Sequence, residues 1–173
     1  ARSIRRWLLL IVPLTALILA ATLVVDVKDL CAHSPHDSID HLAISPTYDR
    51  DQTLFIILID QIQRSTDGGS SWKLLVNGLD HNHRLSTIAI SPSYNQDNTL
   101  FLSSVGNGIF RSRDKGDSWA RANNGLNNLD IGIMAVQPAA KDGKQGADSL
   151  VVLAAGLDNG LFRSENSGDA WEQ

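Results

Sequence analysis

The sequence predicts an all-β protein that consists of three repeated units, preceded by one transmembrane α-helix. Two observations predict this fold class. A Ser-x-Asp-x-Gly-x-Ser-Trp pattern at residues 65–72 returns at residues 112–119 and, in altered form, at residues 164–171. An apolar stretch without charged residues runs from Trp7 to Val25. Because one repeat of this kind cannot bury its own apolar face, the repeats are expected to stack on one another.

The apolar stretch has the length and the flanking charges of a membrane-spanning helix. As a helix it is about 28 Å long, close to the ~30 Å hydrocarbon core of a bilayer. Three arginines precede it: Arg2, Arg5 and Arg6. The positive-inside rule therefore places the N-terminus in the cytoplasm and the repeats on the extracytoplasmic side of the cell membrane. We assign residues 1–29 to a basic tip and a transmembrane helix at about 7–25. A cleaved signal peptide is the alternative, but its apolar region is shorter, about 7–15 residues.

Residues 30–41 are predicted to form a polar linker. It contains four side chains that bind transition metals in other proteins: Cys31, His33, His36 and His41. No two of them have the spacing of a known zinc finger, and polar side chains are ordinary in a linker next to a membrane. We therefore predict no metal site, with these four as weak candidates. The single cysteine also excludes an internal disulfide framework.

The repeats extend well beyond the eight-residue pattern. Ala43-Ile44-Ser45-Pro46 returns 46 residues later (89 − 43) as Ala89-Ile90-Ser91-Pro92, and more loosely as Ala135-Val136-Gln137-Pro138 after the same interval (135 − 89). This periodicity divides residues 42–173 into units at about 42–87, 88–133 and 134–173. The third unit carries a polar insertion at residues 141–148, which predicts a longer surface loop.

Each unit has the pattern of short strands joined by turns. Apolar runs such as Leu54–Ile59 and Leu150–Ala155 are typical of strands buried on both faces. About four short strands in a period of 40–50 residues predict one blade of a β-propeller. Three blades are fewer than the four to eight that close a propeller, so we predict an incomplete one. Either the natural chain continues past Gln173, which we favour, or another subunit completes the ring.

Residues 42–173 resemble the Asp-box repeats, also called bacterial neuraminidase repeats. These repeats occur in sialidases, sortilin-type receptors, xyloglucanase-like glycosidases and the photosystem II stability and assembly factor. The matching positions are Ser65, Asp67, Gly69 and Trp72; Ser112, Asp114, Gly116 and Trp119; and Ser164, Asn166, Gly168 and Trp171. The resemblance implies that these residues hold the blades together, away from any active site. The third box has Asn166 and Ala170 where the others have Asp and Ser, which predicts a weaker turn.

The residues give little support to catalysis. Metalloprotease, serine-hydrolase and phosphate-loop motifs are missing, and a glycosidase needs two placed carboxylates. The only glutamates, Glu165 and Glu172, both lie at the third box. One arginine precedes each box: Arg64, Arg111 and Arg163. We expect these arginines on solvated strand faces, and a basic stripe that docks an acidic partner is the alternative. We predict no catalytic residue and no cofactor.

The combined prediction is a non-catalytic single-pass membrane subunit. Its propeller acts as a scaffold, assembly or docking component of a larger membrane complex, for example a photosynthetic or respiratory one. The predicted partners are other integral membrane subunits and the lipid bilayer, with the loops at residues 80–84 and 123–130 as binding face. The net charge of −4 argues against nucleic acid. Two alternatives are an anchored glycosidase or sialidase-like hydrolase with catalytic residues beyond Gln173, and a receptor-like propeller that binds a peptide or sugar.

Overall fold

The described residues of the computed structural model, 38–79, 84–139, 149–156 and 160–173, form eleven strands and two one-turn helices. The strands build three antiparallel sheets, which confirms the all-β class. Within these ranges the sheets do not close into a ring. The predicted transmembrane helix at about 7–25 lies outside the described residues. Among the helices of the described part, none is long and apolar enough to cross a membrane.

Sheets 1 and 2 repeat one topology. Each consists of four strands in the order of the chain, with a one-turn helix between its first two strands. Sheet 1 contains β1 (Ile39–Ile44), α1 (Tyr48–Asp51), β2 (Leu54–Leu58), β3 (Gln61–Ser65) and β4 (Lys73–Leu74). Sheet 2 contains β5 (Arg84–Ile90), α2 (Tyr94–Asp97), β6 (Leu100–Val105), β7 (Gly108–Ser112) and β8 (Ala120–Arg121).

Sheet 3 has three described strands in the same order. They are β9 (Ile131–Pro138), β10 (Leu150–Gly156) and β11 (Leu161–Ser164). An antiparallel bridge between Arg163 and Glu172 stands where the fourth strand begins in the other two sheets. The predicted polar insertion at residues 141–148 lies outside the described residues.

The Ser-Pro-x-Tyr pattern of the first two units forms the one-turn helices. Ser45 Oγ donates a hydrogen bond of 2.6 Å to the carboxylate of Asp51, and Ser91 Oγ donates one of 2.5 Å to that of Asp97. The same carboxylates accept the backbone N–H of Thr53 and Thr99, which immediately precede the next strand. Each aspartate therefore links the end of a first strand to the start of a second one, which explains why this pattern repeats.

The core lies between the sheets. We call the side of a sheet that packs on the next sheet its face A, and the side that packs on the preceding sheet its face B. Phe55 and Ile57, on face A of sheet 1, lie in one buried cluster with Ile88 and Leu102 on face B of sheet 2. A second cluster joins sheets 2 and 3 by face A residues Ala89, Phe101 and Ile109 and face B residues Met134, Val152 and Phe162. Burying each large apolar side chain contributes roughly 1.5–3 kcal/mol.

Candidate functional site

The first two boxes are closed by an aspartate that accepts several hydrogen bonds. In box 1 (residues 65–72), Asp67 Oδ1 accepts Ser65 Oγ and the Ser71 N–H, both at 2.8 Å, and Oδ2 accepts Ser71 Oγ at 2.6 Å. In box 2 (residues 112–119), Asp114 accepts the equivalent three bonds from Ser112 and Ser118, at 2.7, 2.9 and 2.5 Å. The serine at the first position of each box also accepts an N–H from the box glycine.

These bonds shift the pKa of the box carboxylates. The Ser71 hydroxyl and N–H, with Ser65, lower the pKa of Asp67 to about 2. For Asp114, burial raises the pKa, but the bonds from Ser118 and Ser112 outweigh it and the net shift is downward. Both carboxylates are therefore held in the charged form by the turn that they organise.

Box 3 (residues 164–171) keeps the turn with fewer bonds. Asn166 Oδ1 accepts Ser164 Oγ and the Ala170 N–H, both at 2.9 Å. Ala170 has no hydroxyl, so the third bond of boxes 1 and 2 is missing. The box glycine retains a positive φ here, 83° at Gly168 against 92° at Gly116, so the backbone path is the same.

The box tryptophans close the contact between sheets. Trp119 and Trp171 are only 5% and 4% exposed, and their backbone N–H groups each donate at 2.9 Å to a backbone oxygen of the preceding unit, that of Asn77 and that of Asn124 respectively. Trp72 is half-buried, and no sheet precedes its own within the described residues. Asn77 and Asn124 each begin an Asn-Gly-Leu segment that lies on the next box.

Two of the three predicted arginines join neighbouring sheets. Arg64 donates to the carbonyl of Lys115 at 2.7 Å and pairs with Asp117 at 3.3 Å. Arg111 donates to the carbonyl of Ser167 at 2.5 Å and pairs with Asp169 at 2.7 Å. The expectation of solvated strand faces is therefore wrong for both, because the next sheet covers face A and leaves their side chains 13% and 16% exposed.

Arg163 occupies the same position in sheet 3, but its exposure and its partner differ from those of Arg64 and Arg111. Its side chain is 56% exposed and pairs with Glu165 in its own box turn. In the described residues no further sheet follows, so face A of sheet 3 has no sheet packed on it. A docking role for this arginine stays a prediction.

Two surface clefts lie between sheets 1 and 2. One, of about 470 Å³, has Arg50, Arg64, Lys115 and Tyr94 in its lining, and the buried hydroxyl of Tyr94 has no hydrogen-bond partner among the described residues. Burial raises the pKa of this tyrosine to about 12, so it stays protonated. The other cleft, of about 870 Å³, has Asp40, Asp60, Arg84 and Asn107 in its lining. It lies where the β2–β3 and β6–β7 turns meet the start of β5.

Of the weak metal candidates, only His41 falls in the described residues. It lies on β1 opposite Ile57, and burial lowers its pKa. Cys31, His33 and His36 lie outside the described part, as do residues 80–83 of one predicted binding loop. Across the described ranges, no three His, Cys, Asp or Glu side chains come together as metal ligands would.

The other predicted binding loop, residues 123–130, is a packed connector with an exposed outer side. Asn123 Oδ1 accepts the Ile109 N–H at 2.7 Å, and the Leu129 carbonyl accepts N–H groups from the β6–β7 turn. The side chains of Asn124, Asn127 and Asp130 face solvent.

Sequence reasoning missed the acidic partners of the arginines. Asp117 and Asp169 both stand at the sixth position of their boxes, where box 1 has Ser70. The carboxylate thus occurs only in the boxes that follow an arginine-bearing unit. This correlation between one unit and the next was the signal available in the sequence. The Asn-Gly-Leu segments at residues 77–79 and 124–126 are a second repeated signal, and each of them contacts the next box.

No protein-family model matches the chain, and no curated protein matches it. The resemblance to Asp-box repeats therefore rests on the repeated motifs of the sequence.

Proposed function

We propose that this chain is a non-catalytic docking subunit of a membrane protein complex. Its three sheets are blades of an Asp-box β-propeller, tethered at the extracytoplasmic face of the membrane by the segment at about 7–25. The observation that carries the proposal is the use of the repeated polar side chains: the box aspartates, Arg64 and Arg111 bond within the turns or between the sheets. Residues occupied in this way rigidify a scaffold.

The arrangement of the sheets supports the propeller. Contacts between neighbouring sheets involve mainly their first two strands, with β5 lying between β1 and β9. First strands that meet while fourth strands point outward are expected of blades around an axis. The repeated arginine contacts give successive sheets the same relation, as a rotation about an axis requires.

The exposed turns support a docking role. The cleft with Asp40, Asp60 and Arg84 gathers charges of both signs at one end of the sheets, and the connector at residues 123–130 exposes amides and a carboxylate. Rigid scaffolds commonly present binding residues on such connections. A membrane tether raises the effective concentration of this surface at neighbouring membrane proteins without any new contact.

Co-purification from gently solubilised membranes tests the proposal. We expect the tagged chain to bring down other integral membrane proteins in stoichiometric amounts. Leu129→Asp, in the exposed connector, should lower their recovery without changing the melting temperature. Val76→Asp, at another exposed apolar side chain outside that connector, is the matched control and should retain them. Recovery of the chain alone would contradict the subunit role and support a receptor or an enzyme.

A further inference from the structure

The smaller cleft between sheets 1 and 2, which we call the Tyr94 cleft, borders a buried polar group without a partner. Tyr94 is 2% exposed and lies in the lining, and its hydroxyl has no hydrogen-bond partner among the described residues. Burial raises the pKa of this hydroxyl to about 12, and the charges of Arg64 and Asp51, both in the lining, also act on it. Since nearly all buried polar side chains in native proteins have a partner, this protonated hydroxyl is available to a bound molecule.

The charged groups of the lining favour an anion. They are three cations and one carboxylate: Arg50, Arg64, Lys115 and Asp51. The carboxylate of Asp51 already accepts two hydroxyl groups and the Thr53 N–H within its own unit. Arg64 is held by the Lys115 carbonyl and by Asp117. The carboxylate is thus occupied within the protein, and the groups left for a ligand are hydrogen-bond donors.

Two of these donors are cations with little to hold them in the protein. The ammonium group of Lys115 has no ion pair within the described part of the chain. Arg50 pairs with Asp49 at 3.7 Å, and the two side chains are 81% and 75% exposed, so water screens this pair. Both cations therefore remain able to pair with an anion in the cleft.

The repeat itself does not require these two cations. Arg50 corresponds to Gln96 in the second unit, and Lys115, at the fourth box position, corresponds to Gly68 and Ser167. Residues that the fold needs in every unit recur, as the glycine at the fifth box position does. The two cations are consequently additions at this one junction between sheets.

We propose that the Tyr94 cleft binds a phosphate group, of a soluble compound or of a lipid headgroup, with Tyr94, Arg50 and Lys115 as donors. A phosphate monoester has about two negative charges and three strong acceptor oxygens, and the lining has two more cations than carboxylates. The volume of about 470 Å³ lies in the range of small-molecule sites. This site is separate from the connector assigned to docking and does not depend on that role.

Calorimetry and thermal unfolding of the full chain, in an uncharged detergent without phosphate, test this inference. Inorganic phosphate and glycerol phosphate should each bind saturably and raise the melting temperature relative to sodium chloride at equal ionic strength. Tyr94→Phe removes only the unpartnered hydroxyl, so the melting temperature without phosphate should not fall. It should weaken phosphate binding about tenfold, because hydrogen bonds to charged groups are the stronger ones. Tyr48→Phe, at the equivalent exposed tyrosine outside the lining, is the matched control and should change nothing.

Two further variants take their new residue from the repeat, so the fold accommodates them. Lys115→Ser copies box 3 and Arg50→Gln copies the second unit. Each should weaken phosphate binding about two- to fivefold, as expected for an exposed ion pair. Arg113→Ala removes an exposed cation of box 2 that is not in the lining, and it should leave binding unchanged.

Nanodiscs separate the two sources of the phosphate group. The full chain is placed in phosphatidylcholine discs with and without phosphatidic acid, which carries a phosphate monoester. Glycerol phosphate binding that phosphatidic acid blocks identifies a lipid headgroup, and equal binding in both discs identifies a soluble compound. Absence of saturable binding, or binding that Tyr94→Phe and Lys115→Ser leave unchanged, would overturn the inference. Co-purification with membrane proteins does not use this cleft, so failure of the docking role is recognised separately.

Discussion

Boxes 2 and 3 follow the same backbone path but are held in different ways. Asp114 accepts three hydrogen bonds inside its own turn, whereas Asn166 accepts two. Box 3 has a bond of another kind: Trp171 Nε1 donates to the Ala122 carbonyl at 2.7 Å, while Trp119 Nε1 is buried and finds no acceptor in the described residues. Box 3 therefore has one hydrogen bond fewer within its turn and one more to the preceding sheet.

The difference shows which part of the motif each sheet requires. Both boxes keep the glycine, the tryptophan and the acidic sixth residue, and all three contribute to contacts between sheets. The third and seventh positions, which differ between the two boxes, bond only within the local turn. A box therefore tolerates a weaker turn as long as its contact with the neighbouring sheet is retained.

The largest predicted effects are at the Asn-Gly-Leu segments. A Cβ on Gly78 would lie 2.1 Å from the Trp119 carbonyl oxygen, and one on Gly125 would lie 2.2 Å from that of Trp171. Both glycines have a positive φ, which adds about 1–2 kcal/mol for an L-residue. Each Gly→Ala change should lower the free energy of unfolding by at least about 4 kcal/mol in urea titrations. A loss under about 1 kcal/mol at either site would show that the segment is not a close contact.

Substitutions of the two box tryptophans should show how the two boxes differ in stability. Trp119→Ala and Trp171→Ala should each cost about 3–5 kcal/mol, because both rings are buried. Replacement by Phe keeps most of the apolar contact and the backbone N–H, and removes only the indole N–H. Trp171→Phe should therefore cost about 1–3 kcal/mol more than Trp119→Phe, since it leaves the Ala122 carbonyl without this donor. Equal melting temperatures for the two Phe variants would contradict the difference drawn here.

The residues at the third box position, Asp114 and Asn166, have the next largest predicted effects on stability. Asp114→Ala removes three bonds and should cost about 1–2 kcal/mol, because the side chain is largely exposed. Asn166→Ala removes two bonds of a neutral acceptor and should cost less than half as much. Thermal unfolding of the two variants measures the difference. A greater loss at Asn166 would reverse the ranking of the turns.

Much of the local structure was predictable because it depends on residues close in sequence. The predicted strand Leu150–Ala155 is confirmed and extends one residue further, to Gly156; the predicted strand Leu54–Ile59 ends one residue earlier, because Ile59 has a φ of 55° and starts the turn. The smaller number of bonds in box 3 follows from Asn166 and Ala170 themselves. Period-2 alternation and turn residues are local signals.

The contacts between sheets were not predictable in the same way. Arg64 and Arg111 have partners 51 and 56 residues further along the chain, and a strand pattern alone does not tell which face another sheet will cover. The burial of Arg64 and Arg111 was therefore not predicted, although the sequence shows an acidic residue at the sixth position of boxes 2 and 3. Long-range pairs of this kind become visible only when one unit is compared with the next.

The smallest predicted effect is that of giving box 3 the third and seventh residues of box 2, and this effect depends on pH. Asn166→Asp combined with Ala170→Ser should stabilise the chain by about 1 kcal/mol at pH 7, since it restores a carboxylate and its third bond. As in Asp114, the folded-state pKa of the new carboxylate should lie below its unfolded value of about 3.9. The gain is then complete above that value and disappears as the pH falls through the folded-state pKa. Urea unfolding of the double variant and the wild type between pH 7 and pH 2 measures this convergence. A stability difference that is independent of pH would mean that the carboxylate is not the source of the gain, and that the turns of boxes 2 and 3 differ for another reason.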